Sequence, residues 1–283
     1  MVLSNARLSE RSLAKARRMG SLVRETADRF TLVLAQTEGD AARMRELRHG
    51  PIEVVGNLKF DFSPDAALVE RGRLWRNALG DRPVLLFAST REGEEDLLLR
   101  ALRTLGTSAR GEIIVLIVPR HPQRFAEVAQ RIEADGSVVV RRSARPDWSA
   151  EGVTAGAIVL GDSMGEMAMY YASCDVAYIG GSLLALGGQN LIEACAVGVP
   201  VVVGPHTFNF AQATEDAVAA GAAARSADAQ AVVETMLEIV RDRPRRAAMS
   251  QAALRFASQH RGATARTIAR IVPLIDARER AAD

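Results

Sequence analysis

The chain has 283 residues, 48% of them hydrophobic and 25% charged, with a formal net charge of +2. That balance is ordinary for a globular protein with a substantial core and lacks the basic footprint of a general nucleic-acid binder, so no nucleic-acid partner is expected. Aromatic residues, at 5%, are too few to line a stacking platform for single strands. No apolar run reaches the roughly 18 residues of a membrane-crossing helix. The segment after Met1 meets Asn5, Arg7 and Ser9 before any apolar core of a signal peptide. Cys174 and Cys195 form no CxxC pair, and His49, His121, His206 and His260 have no metal-ligand spacing. The cysteines therefore read as reduced core residues, and neither a metal nor a cofactor is expected.

The first segment reads as a basic helix carrying Arg7, Arg11, Lys15, Arg17, Arg18 and Arg24 against one acid, Glu10. Such a helix can lie on an anionic membrane, but a solvated face needs no partner. Strand patterns follow over 30–36 and 52–56, and a boundary falls at Ser63-Pro64. Residues 1–62 are too few for a domain of this kind and read as the end of a preceding one plus a linker. After a helix over 66–79, apolar runs at 84–88, 113–118, 138–140, 157–160, 176–179 and 199–203 alternate with amphipathic stretches at 92–105, 122–134, 164–173, 191–197 and 211–220. Strands apolar on both faces and separated by helices predict a parallel sheet covered on both sides, the doubly wound α/β class. Residues 228–278 read as helices broken near Pro244 and His260.

Open α/β sheets bind ligands at the carboxyl ends of their strands. Five polar loops fall there. They are Ser89-Thr90-Arg91-Glu92-Gly93-Glu94-Glu95, Pro119-Arg120-His121-Pro122 and Gly161-Asp162-Ser163-Met164-Gly165-Glu166, then Gly180-Gly181-Ser182 leading to Gly187-Gly188-Gln189-Asn190 and Glu193, and Gly204-Pro205-His206-Thr207-Phe208-Asn209-Phe210. Glycines let a backbone approach a ligand closely, and a helix start turns its amides toward an anion. No Lys-Ser/Thr follows the glycines and no GxGxxG is present, which argues against both a P-loop and a dinucleotide fingerprint. Asn190 followed three residues later by Glu193 has two readings. It resembles a capping box that needs no ligand, and it also offers a carboxylate able to accept from two neighbouring hydroxyls.

These five loops, together with Asn5-Ala6-Arg7-Leu8-Ser9 and Gly56-Asn57-Leu58-Lys59-Phe60-Asp61, resemble in order the motifs of the 3-deoxy-D-manno-octulosonic acid (Kdo) transferases of lipopolysaccharide assembly. The resemblance runs from Asn5 to the C-terminal helices. It implies the GT-B glycosyltransferase fold, with residues 63–260 as a complete C-terminal Rossmann-like donor domain. Residues 1–62 would be the tail of the N-terminal acceptor domain and its linker, and residues 261–283 a helix packing back toward that domain. It further implies inverting, metal-independent transfer of Kdo from CMP-Kdo to a lipid A precursor, at the cytoplasmic face of the bacterial inner membrane.

Carried over by motif, Arg120 contacts the donor phosphate or nucleotide. Gly161, Ser163 and Met164 line the cytosine pocket. Ser182, Gly187, Gly188 and Asn190 meet phosphate and sugar, and Glu193 meets the ribose. Ser89, Thr90 and Lys59 are further donor contacts, with Arg91, Gln189 and His206 as additional candidates. Two positions depart from the family pattern: Gln189 stands in the glycine turn, and Arg91 in the first loop, where the family has His. The resemblance also implies that most of the N-terminal domain, with the membrane anchor, the acceptor site and the general base, lies outside this chain. On that view the chain holds no catalytic residue, is inactive alone, and self-associates through an uncovered apolar face. A non-catalytic nucleotide-sugar binding module, or another GT-B enzyme using a UDP-sugar, fits the same loops.

Overall fold

The structure, a computed structural model, describes residues 1–145, 147–154 and 156–279. It divides into two compact units, Met1–Phe62 with Gln259–Asp283, and Ser63–Ser258.

The first unit is a three-stranded parallel sheet in the order β1 (Val2–Ala6), β2 (Leu32–Ala35), β3 (Ile52–Val54). Period-two alternation sends β2 side chains to opposite faces. Val33 and Ala35 pack with Ala41 and Met44 of helix Glu38–Arg45 on one side. Leu32 and Leu34, with Val55, pack with Ile271 and Leu274 of helix Ala263–Glu279 on the other. Asp61 ties this helix down: its carboxylate accepts from the amides of Gly262 and Thr264, both at 2.7 Å.

One expectation for this unit is corrected. The basic segment is not one helix. Val2–Ala6 pairs with β2, so Arg7 follows a strand, and Gly20 at φ 57° separates helix Glu10–Arg18 from helix Ser21–Asp28, which carries Arg24. Ladder pairing with a distant strand overrode the local helical pattern. Apolar residues of the same unit pack on both faces of this sheet. The apolar side chains that remain exposed here include Ile268, Val272 and Ile275, on the outer side of helix Ala263–Glu279.

The second unit is a seven-stranded sheet built from β4 (Val84–Thr90), β5 (Ile114–Pro119), β6 (Val139–Arg141), β7 (Ile158–Leu160), β8 (Val176–Ile179), β9 (Val201–Val203) and β10 (Ala223–Arg225). All its pairings are parallel, in the order β10-β9-β8-β4-β5-β7-β6. From β4 the chain passes through β5 to the edge strand β6 and back to β7 between them, then crosses to β8 and winds outward through β9 and β10, so the order reverses between β4 and β8. Leu85, Phe87, Val115, Ile117 and Tyr178 form one buried face against Leu98 and Leu102 of helix Glu94–Arg103 and Val233 and Met236 of helix Ala229–Arg241.

β10 was not foreseen, and β4 runs two residues past its expected end. The break expected at Pro244 falls at Asp242, whose carboxylate accepts from the Arg245 amide at 2.9 Å. Pro244 then sits in the first turn of helix Arg243–His260, where its missing N–H costs nothing. No described helix is long and apolar enough to cross a membrane.

Candidate functional site

The reversal between β4 and β8 opens a crevice at their carboxyl ends, where open α/β sheets place ligands. The backbones meet closely there. Ser89 adopts a left-handed φ of 55°, the β4 register shifts between Ala88 and Thr90, and a Cβ on residue 180 would fall 2.2 Å from the Ser89 carbonyl oxygen. Only glycine fits at that position.

A buried carboxylate stitches the two sides together. Glu94 accepts from the Arg91 amide at 2.9 Å on the β4 side. On the β8 side it accepts from the amides of Gly181 (2.6 Å) and Leu183 (3.0 Å) and from the Tyr178 hydroxyl (2.6 Å). Its neighbour Glu95 is equally buried. It accepts from the Thr90 hydroxyl at 2.7 Å and takes a two-pronged ion pair from Arg124 at 2.7 and 3.0 Å. Burial alone would lower the Arg124 pKa, but the Glu95 carboxylate outweighs it and the guanidinium is held above its ordinary value.

The glycine turn lies beside this stitch. Gly187 and Gly188 have φ of +89° and +76°, and a Cβ at 187 would sit 2.3 Å from Asn209 Nδ2. The Asn209 side chain donates to the Leu186 carbonyl at 3.1 Å, and its amide donates to the Gly187 carbonyl at 3.0 Å, so the 204–210 loop braces the turn. Arg225 braces the loop in turn, donating to the carbonyls of Gly204 (3.3 Å) and Pro205 (3.4 Å) and to Thr207 Oγ1 (3.1 Å).

Past the turn, Asn190 does two things. Its Oδ1 accepts from the amide of Ile192, the first residue of the short helix Ile192–Val197, at 3.1 Å, and its Nδ2 donates to Glu193 at 3.1 Å. Arg120, exposed at the end of β5, donates to Gln189 Oε1 at 3.3 Å. Burial raises the Glu193 pKa, and the Asn190 amide and the Arg120 charge offset this only in part. The amides of Gln189 and Asn190 have no backbone partner among the described residues.

The 161–166 loop, past the end of β7, forms another wall. A Cβ on Gly161 would meet Val118 Cγ2 at 2.7 Å and Tyr170 Cζ at 2.9 Å. Both Asp162 oxygens are occupied, by the Ser143 amide and hydroxyl and by Arg141, each at 2.7 Å. Burial pushes Asp162 up, but these donors outweigh it and hold the carboxyl below its usual value. Ser163 donates to Glu166 and lies against the Tyr170 hydroxyl, while Arg142 donates to Glu166 at 2.8 Å. Met164 is exposed.

Of the expected site residues, Arg120, Gln189, Asn190 and Glu193 gather beside the Gly187-Gly188 turn. Arg91 reaches toward Gly181 but pairs with Glu92 at 3.1 Å, and His206 is exposed, its amide held by the Ser182 carbonyl at 2.9 Å. Two expected ligand hydroxyls are corrected. Thr90 and Ser182 are fully buried, and both turn inward, Thr90 to Glu95 and Ser182 to the Ile179 carbonyl at 2.6 Å while accepting from the Gly204 amide at 2.8 Å. Lys59 is carried by the first unit, exposed on the turn Leu58–Phe60. Arg124, Arg142, Arg225 and Tyr170 shape the site and were not foreseen.

Residues 1–62 match the family described as 3-deoxy-D-manno-octulosonic-acid transferase (kdotransferase), and residues 148–256 match glycosyl transferases group 1. The 3-deoxy-D-manno-octulosonic acid transferase of Bordetella pertussis is 46% identical over 270 residues, covering 95% of this chain and 62% of that protein. The Haemophilus influenzae protein of the same name is 29% identical over 284 residues, covering 97% of this chain and 64% of its own length. The chain thus spans a little under two thirds of these relatives.

Among solved structures, the C-terminal CMP-Kdo binding domain of WaaA from Acinetobacter baumannii superposes with a TM-score of 0.62 at 31% identity, covering 68% of this chain and 98% of that domain. Anabaena Alr3699/HepE in complex with UDP and glucose has a TM-score of 0.53 at 17% identity, covering 96% of this chain and 71% of that one, a likeness of fold. The parallel-sheet α/β architecture is that of GT-B glycosyltransferases. With one solved domain matched almost end to end and a relative 46% identical over 270 residues, the chain belongs to the Kdo transferase family of glycosyltransferases.

Proposed function

We propose that the seven-stranded unit binds CMP-Kdo in this crevice, and that the chain supplies the donor-binding part of an enzyme transferring Kdo to a lipid A precursor. The observation that carries this reading is the convergence of Arg120 with Gln189, Asn190 and Glu193 at the strand ends. Likeness to the CMP-Kdo binding domain of Acinetobacter WaaA supports it. CMP-Kdo has one phosphate and one sugar carboxylate. Breaking its glycosidic bond leaves negative charge on CMP and positive character on the sugar. A guanidinium and outward amides already in place stabilise that departing charge without reorganising. One phosphate held this way needs no metal clamp.

We assign Glu193 to the ribose hydroxyls, Gly161, Ser163 and Met164 to the base, and Arg91 to the donor's anionic groups. Ser89 and His206 flank it. We place the acceptor's general base outside residues 1–283, so that this chain binds donor without transferring it. On the same reading, transfer proceeds with inversion at the cytoplasmic face of the inner membrane.

Arg120→Ala should weaken CMP binding about 10- to 100-fold, the range for losing a charged hydrogen bond. Titration calorimetry on the purified chain measures this, and an unchanged Kd would overturn the assignment.

Glu193 adds a pH signature. Burial lifts its pKa above the ordinary 4.5, and its acceptor role needs the carboxylate. CMP affinity should therefore fall as pH drops through that raised value, and Glu193→Gln should flatten the profile. For folding the sign is opposite. A raised carboxyl contributes stability that is present below its unfolded pKa and lost as pH rises through the folded one, so Glu193→Gln should melt at or above wild type at neutral pH. A flat wild-type binding profile would remove Glu193 from the site.

A further inference from the structure

We propose that Ser163 selects the nucleobase by accepting a hydrogen bond from its exocyclic amino group, and that a buried relay ending on Arg142 holds Ser163 in that acceptor role. This rests on the donor-site reading above, in which the 161–164 loop lines the base pocket. Ser163 is partly exposed on that loop, and its hydroxyl donates its single proton to Glu166 Oε2. The Tyr170 hydroxyl touches the same Ser163 oxygen. With the serine proton committed to a carboxylate, the phenol is the donor there. Tyr170 is fully buried, and that burial keeps its phenol protonated.

The far end of the relay fixes its direction. Arg142 has donors only, and gives one to Glu166 Oε1 at 2.8 Å, with Arg71 a further 3.7 Å contact to the same oxygen. The parts are held rigidly. The Arg142 guanidinium lies 5.5 Å from the Trp148 ring centre, Trp148 meets Tyr170 edge-on at 5.6 Å, and Tyr170 packs where a Gly161 side chain would be.

A serine oxygen has one proton and two lone pairs. Here the proton goes to Glu166 and one lone pair to Tyr170, leaving one lone pair and no donor for a ligand. Cytosine presents an amino donor at ring position 4, and uracil presents a carbonyl oxygen at the same place. The amino group completes the shell of Ser163, whereas the carbonyl sets two acceptors face to face. Selection then works mainly by rejection, the more effective route to specificity in a polar pocket. The neighbouring side chains are poorer readers, because Asp162 is buried with three donors already on its carboxylate and the Met164 thioether is only a weak acceptor.

The test is titration calorimetry of the full chain with CMP and with UMP. Wild type should favour CMP by about tenfold or more, the order expected from one unpaired buried acceptor. Glu166→Gln presents an amide N–H₂ to Ser163 and frees its proton to point outward. CMP binding should then weaken while UMP binding improves, bringing the ratio to about twofold or reversing it. Simple loosening of the loop would weaken both nucleotides together. Ser163→Ala, at a partly exposed position, should also collapse the ratio and decides the matter if Glu166→Gln does not fold. A wild type without preference, or a ratio preserved in the variants while CMP still binds, overturns this proposal alone. A wild type that binds neither nucleotide overturns the donor-site reading and this proposal with it.

Discussion

Glu94→Ala should cost the second unit about 4–6 kcal/mol and abolish CMP binding. The substitution leaves the Arg91 and Gly181 amides and the Tyr178 phenol without their acceptor and the Leu183 amide with only the Tyr178 oxygen, each full loss being about 1–3 kcal/mol when buried, and water entering the gap recovers only part. Against a typical stability of about 5–15 kcal/mol, that is close to unfolding. Glu94→Gln keeps the volume and one carbonyl but turns an N–H₂ toward existing donors, and should fall between alanine and wild type. Denaturant unfolding followed by circular dichroism reads both variants. A loss under about 2 kcal/mol for the alanine variant would show that the stitch between β4 and β8 is carried by something else.

Glu95→Ala should cost about 3–5 kcal/mol, because it strands the Arg124 charge in a buried position. Arg124 Nε keeps looser contacts, 3.4 Å to Glu127 and 3.7 Å to Glu92, and these half-exposed partners hold the loss toward the lower end. Replacing both members, as in E95L with R124L, removes the stranded charge and should cost only about 1–3 kcal/mol, the loss of the acceptor for the buried Thr90 hydroxyl. The same unfolding experiment distinguishes the cases. A double variant as damaged as the single one would mean that the pair acts through Thr90 and the β4 bulge rather than through its own charge.

The sheet was legible where strands are apolar on both faces. Val84, Leu85 and Leu86 in β4 and Ile114 to Val118 in β5 declare buried central strands without help from context. Ala223 and Ala224 in β10 carry no such signal, and β1 was hidden because Val2 to Ala6 precedes a run of cations that dominated the local reading. At the site, the glycines spoke plainly, since Gly180, Gly187 and Gly188 each answer a close backbone approach or a positive φ.

The polar residues were harder. Glu94 and Glu95 read as loop carboxylates, yet both are interior, because their partners arrive from residues 84 to 89 positions away or from a different helix. Thr90 and Ser182 read as ligand hydroxyls because they stand at strand ends, yet both donate to acceptors close in sequence, Glu95 and the Ile179 carbonyl. Arg124, Arg142 and Arg225 stand at unremarkable positions in the sequence, and only the folded chain shows the carboxylates and carbonyls they serve. Asn190 illustrates the limit well. The capping and ligand readings were both open, and the structure shows its Oδ1 accepting from the Ile192 amide while its Nδ2 donates to Glu193.

The first unit draws residues from both ends of the chain, closed by Asp61 reaching Gly262 and Thr264 across more than 200 positions. On the ribosome, β1 to β3 emerge before the seven-stranded unit, but the helix that covers Leu32, Leu34 and Val55 emerges after it. One sheet face must therefore wait, greasy and uncovered, while the whole seven-stranded unit is synthesised and folds between its halves. Contacts of such long range close slowly and leave a sticky intermediate in the meantime. Expression yield should accordingly respond more to chaperone supply and to the integrity of the last helix than to any residue of the nucleotide crevice.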